Sequence, residues 1–208
     1  MNIVITGAPG SGKGSRTEFI EKMFGIPTIS TGNMLRSEVE KGSELGLQAK
    51  GIMDSGGLVS DDIIIGMLKV RAAEETNGFI LDGVPRTLVQ AEMMKDAGIN
   101  IDKVVVVEVP DEVIMGRLSG RRVCSGCSEP YHIEDKQPKT PGICDTCGRE
   151  LMTRKDDQPE VIKQRLKMYH EQTKPVIEFY KNEGVDVKYI DANRPFSEAE
   201  MAVREAFE

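Results

Sequence analysis

The chain has no tryptophan, and aromatic residues make up only 5% of its 208 positions. A surface that stacks nucleobases on exposed rings is therefore not expected. Positive charge is also in deficit, with 27 Lys and Arg against 34 Asp and Glu, a formal net charge of -7. That balance argues against the continuous basic face that a nucleic-acid backbone needs, so any phosphate chemistry must rely on locally clustered cations. No apolar run approaches the roughly 18 residues of a membrane span, and no membrane partner is expected. Met1 to Thr6 enters a strand pattern without a basic region, a long apolar stretch or a small-residue cleavage site, which places the expected location in the cytoplasm. There are just four cysteines.

All four fall in two knuckles, Cys124-Ser-Gly-Cys127 and Cys144-Asp-Thr-Cys147, separated by 16 residues. In a reducing compartment this spacing favours metal ligation, with disulfide or redox use as the competing reading. Four thiolates complete a tetrahedral shell and leave no position for a substrate, so a structural Zn²⁺ is expected, with Fe or Co as other thiophilic occupants. The segment between the knuckles contains Pro138, Pro141 and Gly142 and few apolar residues, a deficit that metal binding offsets.

Hydrophobic residues at 39% and the chain length suit one large core with smaller insertions. Apolar segments at Asn2 to Thr6, Thr28 to Ser30, Gly78 to Leu81, Lys103 to Val109 and Asp186 to Ile190 read as five strands. The unbroken Val104-Val105-Val106-Val107 run suits a strand buried on both faces. Helical periodicity lies between them, for example Thr17, Ile20, Met23 and Phe24, then Ile63, Met67, Leu68 and Val70, and later Ile162, Leu166, Tyr169 and Val176. Alternating strands and helices predict an α/β fold with a doubly wound, five-stranded parallel sheet. Two stretches break the rhythm: a glycine-punctuated helical one over 30–59, and one rich in Cys, Pro and Gly over 122–157. The core is then expected to comprise 1–29, 60–121 and 158–208.

Gly7-x-x-x-x-Gly12-Lys13 follows the first strand and opens a helix, the setting in which backbone N–H groups and the helix dipole cradle phosphate while the lysine supplies charge to the outer phosphates. The Ser or Thr that normally follows the lysine is Gly14, and a hydroxyl appears only at Ser15. Asp82 ends a predicted strand, where an acid can sit beside hydrated Mg²⁺; a helix cap is its other reading.

Gly7-Ala-Pro-Gly-Ser-Gly-Lys-Gly14, Ser30-Thr-Gly-Asn-Met-Leu-Arg36, Leu81-Asp-Gly-Val-Pro-Arg86, Gly120-Arg-Arg122 and Arg154-Lys-Asp-Asp157 together resemble the adenylate kinases, specifically the bacterial type with a long, zinc-containing lid. The likeness runs the length of the chain. It implies a P-loop kinase in which 30–59 binds AMP, 122–157 is the lid, and ATP and AMP are converted reversibly to two ADP with Mg²⁺ accompanying ATP. It further implies ATP contacts from Gly10, Ser11, Gly12, Lys13, Gly14, Ser15, Arg117, Arg121, Tyr131 and Arg194. The implied AMP contacts are Thr31, Arg36, Gly57, Leu58, Val59, Gly83, Val84, Pro85, Arg86, Gln90, Arg154 and Arg165. Lys13, Arg86, Arg121, Arg154 and Arg165 are the implied catalytic group. No general base is needed, because a phosphate monoester arrives with its nucleophilic oxygen ionised.

Asn33 stands where the family pattern has an acid. Tyr131 is read equally as an ATP contact or as lid core, and His132 as a packing or hydrogen-bonding group. Arg16, Arg71 and Arg204 lie outside the motifs and are taken as solvated surface residues. A kinase for UMP, CMP or GMP is the alternative within the fold. A zinc-ribbon nucleic-acid binder is disfavoured by charge, and a switch GTPase by the lack of an Asn-Lys-x-Asp motif. A monomer is expected.

Overall fold

The computed structural model describes all residues, 1–208. Its strands, in chain order, are β1 (Asn2–Thr6), β2 (Thr28–Ser30), β3 (Phe79–Asp82), β4 (Lys103–Glu108), β5 (Arg121–Cys124), β6 (Pro130–His132), β7 (Leu151–Met152) and β8 (Asp186–Asp191). Five form a parallel sheet in the order β2-β3-β1-β4-β8; the other three form a small antiparallel sheet in the order β6-β5-β7. Nine α-helices accompany them: α1 (Lys13–Phe24), α2 (Thr31–Lys41), α3 (Glu44–Asp54), α4 (Asp61–Ala73), α5 (Leu88–Asp96), α6 (Asp111–Gly120), α7 (Pro159–Met168), α8 (Lys174–Asn182) and α9 (Ala199–Phe207). The α/β architecture expected from the sequence is the one observed.

Because successive strand residues point to opposite faces, the apolar runs feed two cores at once. Val4, Leu81, Val104 and Val106 pack with Leu68, Met94 and Tyr180 on one face. Ile3, Ile5, Ile80, Val105 and Val107 pack with Ile20, Ala202 and Val203 on the other. Burial of each such side chain contributes about 1.5–3 kcal/mol relative to exposure, which is why the central strands lack polar alternation. The register sets Val4 of β1 between Leu81 of β3 and Val104 of β4, so the C-terminal ends of β1 and β3 open side by side.

Several expectations shift. The third strand runs Phe79–Asp82 instead of Gly78 to Leu81, since Gly78 turns with a φ of +101°, and the strands expected to end at Val109 and Ile190 end at Glu108 and Asp191. Val70 is 70% exposed, and the buried stripe of α4 runs through Ile64, Ile65 and Leu68. The periodicity from Ile162 to Val176 belongs to two helices joined by a π-helical turn at Tyr169–Thr173. Pro175, in the first turn of α8, has no N–H to continue the α ladder, which accounts for the widened turn.

Candidate active site and metal centre

The loop between β1 and α1 ends at Gly12, whose φ of +85° is open only to glycine at little cost and aims the first turn of α1 into a cavity of about 1150 Å³. Gly10, Gly12, Lys13, Gly14 and Ser15 line that cavity, whereas Ser11 is fully buried behind them. The Lys13 ammonium donates to the carbonyl oxygens of Gly7 at 2.7 Å and Ala8 at 2.9 Å. Burial, only partly countered by Asp82 and reinforced by Arg86, Arg165 and Arg121, lowers its pKa to about 8. Asp82, at the end of β3, lines the same cavity.

On the β2–β3 side a smaller recess of about 70 Å³ brings together Thr31, Arg36, Gly57, Leu58, Val59, Gly83, Arg86, Gln90, Arg154 and Arg165; Val84 and Pro85 line the main cavity next to it. Thr31 is buried and donates its hydroxyl to the Gly83 carbonyl at 3.0 Å, tying the start of α2 to the end of β3. Thr87 caps α5 by accepting from the Gln90 N–H, and Gln90 in turn accepts from the Arg86 N–H at 2.7 Å and donates to Asp61. Arg86 Nε donates to the Gly83 carbonyl, and Thr173 of the π turn donates to the Arg86 carbonyl at 3.0 Å. Arg36 donates to Asn33 Oδ1, so the residue that departs from the family pattern serves here as a partner for that guanidinium. Burial and the neighbouring Arg154 bring the Arg36 pKa down to about 9.

Two carboxylates gather three of the arginines. Asp157, fully buried at its side chain, pairs with Arg121 through two hydrogen bonds and with Arg165 at 3.4 Å. Asp156 pairs with Arg154 at 2.6 Å and Arg165 at 2.8 Å. Burial pushes the Asp156 pKa up, but Arg165 and Arg154 outweigh it and hold the carboxyl below its ordinary value. The sequence motif Arg154-Lys-Asp-Asp157 contained this pair, yet adjacent acids at a loop carry no periodic signal of what they face. Their placement depends on β5 and α7 meeting in space.

At the far end of the cavity Arg117 of α6 donates to the Ala192 carbonyl at 2.8 Å, and Arg194 turns toward Glu205 at 2.8 Å. Arg71 and Arg204 form surface pairs with Glu74, Glu75 and Glu200, as expected. Arg16 is not a surface residue: it is 3% exposed, because α1 lays its side chain back along the loop.

The four cysteine sulfurs converge, all within 4.8 Å of one another, with Cys124 and Cys147 3.2 Å apart and Cys127 and Cys144 3.6 Å apart. Four thiolates at about 2.3 Å from a tetrahedral Zn²⁺ lie about 3.8 Å from each other, so the donor set fits a tetrahedral metal. Backbone N–H groups of Gly126 and Cys127 donate to Cys124, and that of Thr146 to Cys144. Burial opposes ionisation of Cys144, but the Tyr131 hydroxyl and the Cys147 and Thr146 N–H groups prevail and bring its pKa down to about 6. Tyr131 is itself 5% exposed, with its hydroxyl between Cys144 Sγ and the Asp145 N–H, and it also lines the main cavity. His132 accepts at Nδ1 from the Glu134 and Asp135 N–H groups, which leaves Nε2 to donate to the Arg117 carbonyl. No helix is long and apolar enough to cross a membrane.

The chain is similar in sequence to known proteins. The family model described as adenylate kinase matches residues 5–185. The adenylate kinase of Caldicellulosiruptor saccharolyticus is 50% identical over 191 residues, covering 89% of each chain. A match over residues 5–185, which span the phosphate loop, the arginine cluster and most of the parallel sheet, makes this chain a member of the adenylate kinase family, phosphotransferases that move a phosphoryl group between ATP and AMP.

Proposed function

We propose that this protein transfers the γ-phosphoryl group of Mg-ATP in line to the phosphate of AMP, releasing two ADP, and that the reaction runs on electrostatic positioning alone. The observation that carries this reading is the convergence of Lys13, Arg86, Arg121 and Arg165 on one cavity beside Asp82. An oxygen of the AMP phosphate forms the new bond to the γ-phosphorus as the bond to the β–γ bridging oxygen breaks, and no proton has to move. Charge spread over the transferring group is met by guanidinium forks and the Lys13 ammonium, which is what such a transition state requires.

The roles divide by location. Gly10, Ser11, Gly12, Lys13, Gly14, Ser15, Arg117, Arg121 and Arg194 serve ATP; for Tyr131 an ATP contact is confined to its ring, since its hydroxyl is committed to Cys144 and Asp145. Thr31, Arg36, Gly57 to Val59, Gly83 to Arg86 and Gln90 hold AMP, with Arg154 and Arg165 between the two nucleotides. Arg121, Arg154 and Arg165 exchange Asp156 and Asp157 for phosphate oxygens, so the two acids act as place-holders that keep three cations preorganised.

Adenylate kinases use Mg²⁺ with ATP; Asp82, which lines the cavity at the end of β3, would orient the water shell of that ion, which would supply charge neutralisation at the phosphates. Cys124, Cys127, Cys144 and Cys147 would hold a structural Zn²⁺. Residues 30–59 and 122–157 act as two arms that close over a rigid core formed by 1–29, 60–121 and 158–208 and exclude water as an acceptor. The protein works as a cytoplasmic monomer.

A coupled assay of ADP formation from Mg-ATP with AMP, UMP, CMP or GMP tests the reading. AMP is expected to be the preferred acceptor, with Thr31 and Gln90 facing its base. Preference for UMP, CMP or GMP would move the protein to another nucleoside monophosphate kinase activity.

A further inference from the structure

Arg16 is buried to 3% exposure, yet its Nε and one terminal nitrogen have no hydrogen-bond partner in the protein. The other terminal nitrogen reaches only the Gly12 carbonyl, at 3.4 Å, near the limit of a useful hydrogen bond. No carboxylate forms a salt bridge with it, and the charges that act on it are those of Arg117, which repels it, and Asp191, which attracts it. A guanidinium out of water without an anion is a costly arrangement, and a second arginine beside it raises the cost.

The same side chain lines the main cavity with Gly12, Lys13, Gly14 and Ser15. Its electrostatic surroundings are nevertheless separate from those of Lys13, which are Asp82, Arg86, Arg165 and Arg121. The cavity therefore has two cationic centres, joined by the phosphate loop. One gathers at the expected point of transfer; the other is Arg16 with Arg117, and Arg117 donates to the Ala192 carbonyl just before Asn193 and Arg194, which line the same cavity.

We propose that Arg16 is a donor-nucleotide binding residue that takes the α-phosphate of the triphosphate, the phosphate that is never transferred. This rests on the ATP pocket assigned above. The first turn of α1 offers its free N–H groups to the polyphosphate, Lys13 engages the outer phosphates, and Arg16, one turn along the helix and folded back on Gly12, is left to the inner one. The α-phosphate charge is the same before and during transfer. The contact therefore contributes uniform binding, which governs ATP affinity and leaves the chemical step alone.

Arg16→Gln and Arg16→Met test this by calorimetric titration of Mg-ATP and, separately, of AMP, together with steady-state kinetics and thermal melting of the ligand-free proteins. Both substitutions are expected to raise the Kd and KM for ATP about tenfold, with the loss concentrated in the ATP KM instead of kcat and with AMP affinity within about twofold of the parent. Arg16→Lys restores part of the affinity. The ligand-free Met variant melts at or above the parent temperature, because an unpaired buried charge has been removed; a merely structural arginine would give a lower melting temperature. The inference is overturned if ATP affinity is unchanged in both variants, or if AMP weakens as much as ATP. Failure of the parent itself to form ADP from ATP and AMP would instead overturn the pocket assignment.

Discussion

The floor of the main cavity and the cysteine module solve the same problem, holding polar groups in fixed positions, by different means. Beneath the floor, two apolar cores of 18 and 11 buried residues grip the sheet from both faces, so the phosphate loop and Arg86, which follows β3, stand on a support that needs nothing else. The cysteine module has a buried cluster of three, Cys124, Tyr131 and Cys144, and two of those are candidate metal ligands. Hydrophobic burial at about 1.5–3 kcal/mol per side chain can sustain the first and cannot sustain the second. Metal binding, at about 10 kcal/mol for structural zinc sites, would cover the difference. The module reaches the floor through few polar contacts, notably His132 to the Arg117 carbonyl at 3.1 Å and Lys136 to Glu18 at 3.7 Å. The phosphate loop thus sits where the fold is self-sufficient, the four-cysteine site sits where it is not, and Arg121 and Arg154 lie at the junction of the two.

The largest break in that division is expected at the floor. Lys13→Met should lower kcat about 10³-fold, about 4 kcal/mol of transition-state stabilisation, while far-ultraviolet dichroism and the melting transition stay close to the parent. A loss within about tenfold would remove Lys13 from the transfer step. Next, Arg36→Ala should raise the AMP KM by about tenfold to a hundredfold with the ATP KM little changed, since only the recess beside β3 is altered. A raised ATP KM beside an unchanged AMP KM would exchange the two pockets.

A pH series sharpens the same floor. The Lys13 pKa in the folded protein, about 8, lies below the ordinary 10.5, so folding favours loss of its proton between those values and this group stabilises the fold as pH rises through that window. Polyphosphate binding has the opposite preference, because it needs the ammonium. The kcat/KM for ATP should therefore fall as pH rises through about 8, and a flat profile from pH 7 to 10 would show that Lys13 stays charged or is not required. The smallest effect is expected from Thr173→Val, which takes the donor from the Arg86 carbonyl: about 1–3 kcal/mol in stability by denaturant unfolding, with a modest rise in the AMP KM.

Much of this was legible in the sequence because the signals were local. The strands Asn2–Thr6 and Thr28–Ser30 appear with the bounds their residues imply, the glycine loop sits between strand and helix, and the paired knuckles form one cluster. What escaped depends on meetings across the chain. Arg16 lies on a helix whose apolar stripe is weak, and its burial comes from the loop beneath it and from the side of α6. Asp156 and Asp157 read as a charged turn until β5 and α7 bring Arg121 and Arg165 to them. The small antiparallel sheet has no signature in the sequence, because its strands are short and its interior is two cysteines and one tyrosine with Leu151 packed against them, leaving no alternating pattern to see. The exposed Val70 is the converse case, an apolar residue in the right period that no neighbouring element covers.

The measurement that tests the division most directly is made on the protein with Cys144 and Cys147 both replaced by Ser, following bound metal, melting temperature and ADP formation on the same sample over a range of temperatures. The division predicts loss of one equivalent of metal and a lower melting transition, with kcat at low temperature within about tenfold of the parent, or about 1.4 kcal/mol, because every group placed on phosphate lies outside the knuckles. Loss of turnover at all temperatures in a double variant whose core remains folded would show that the metal centre takes part in the chemistry, and would contradict the account.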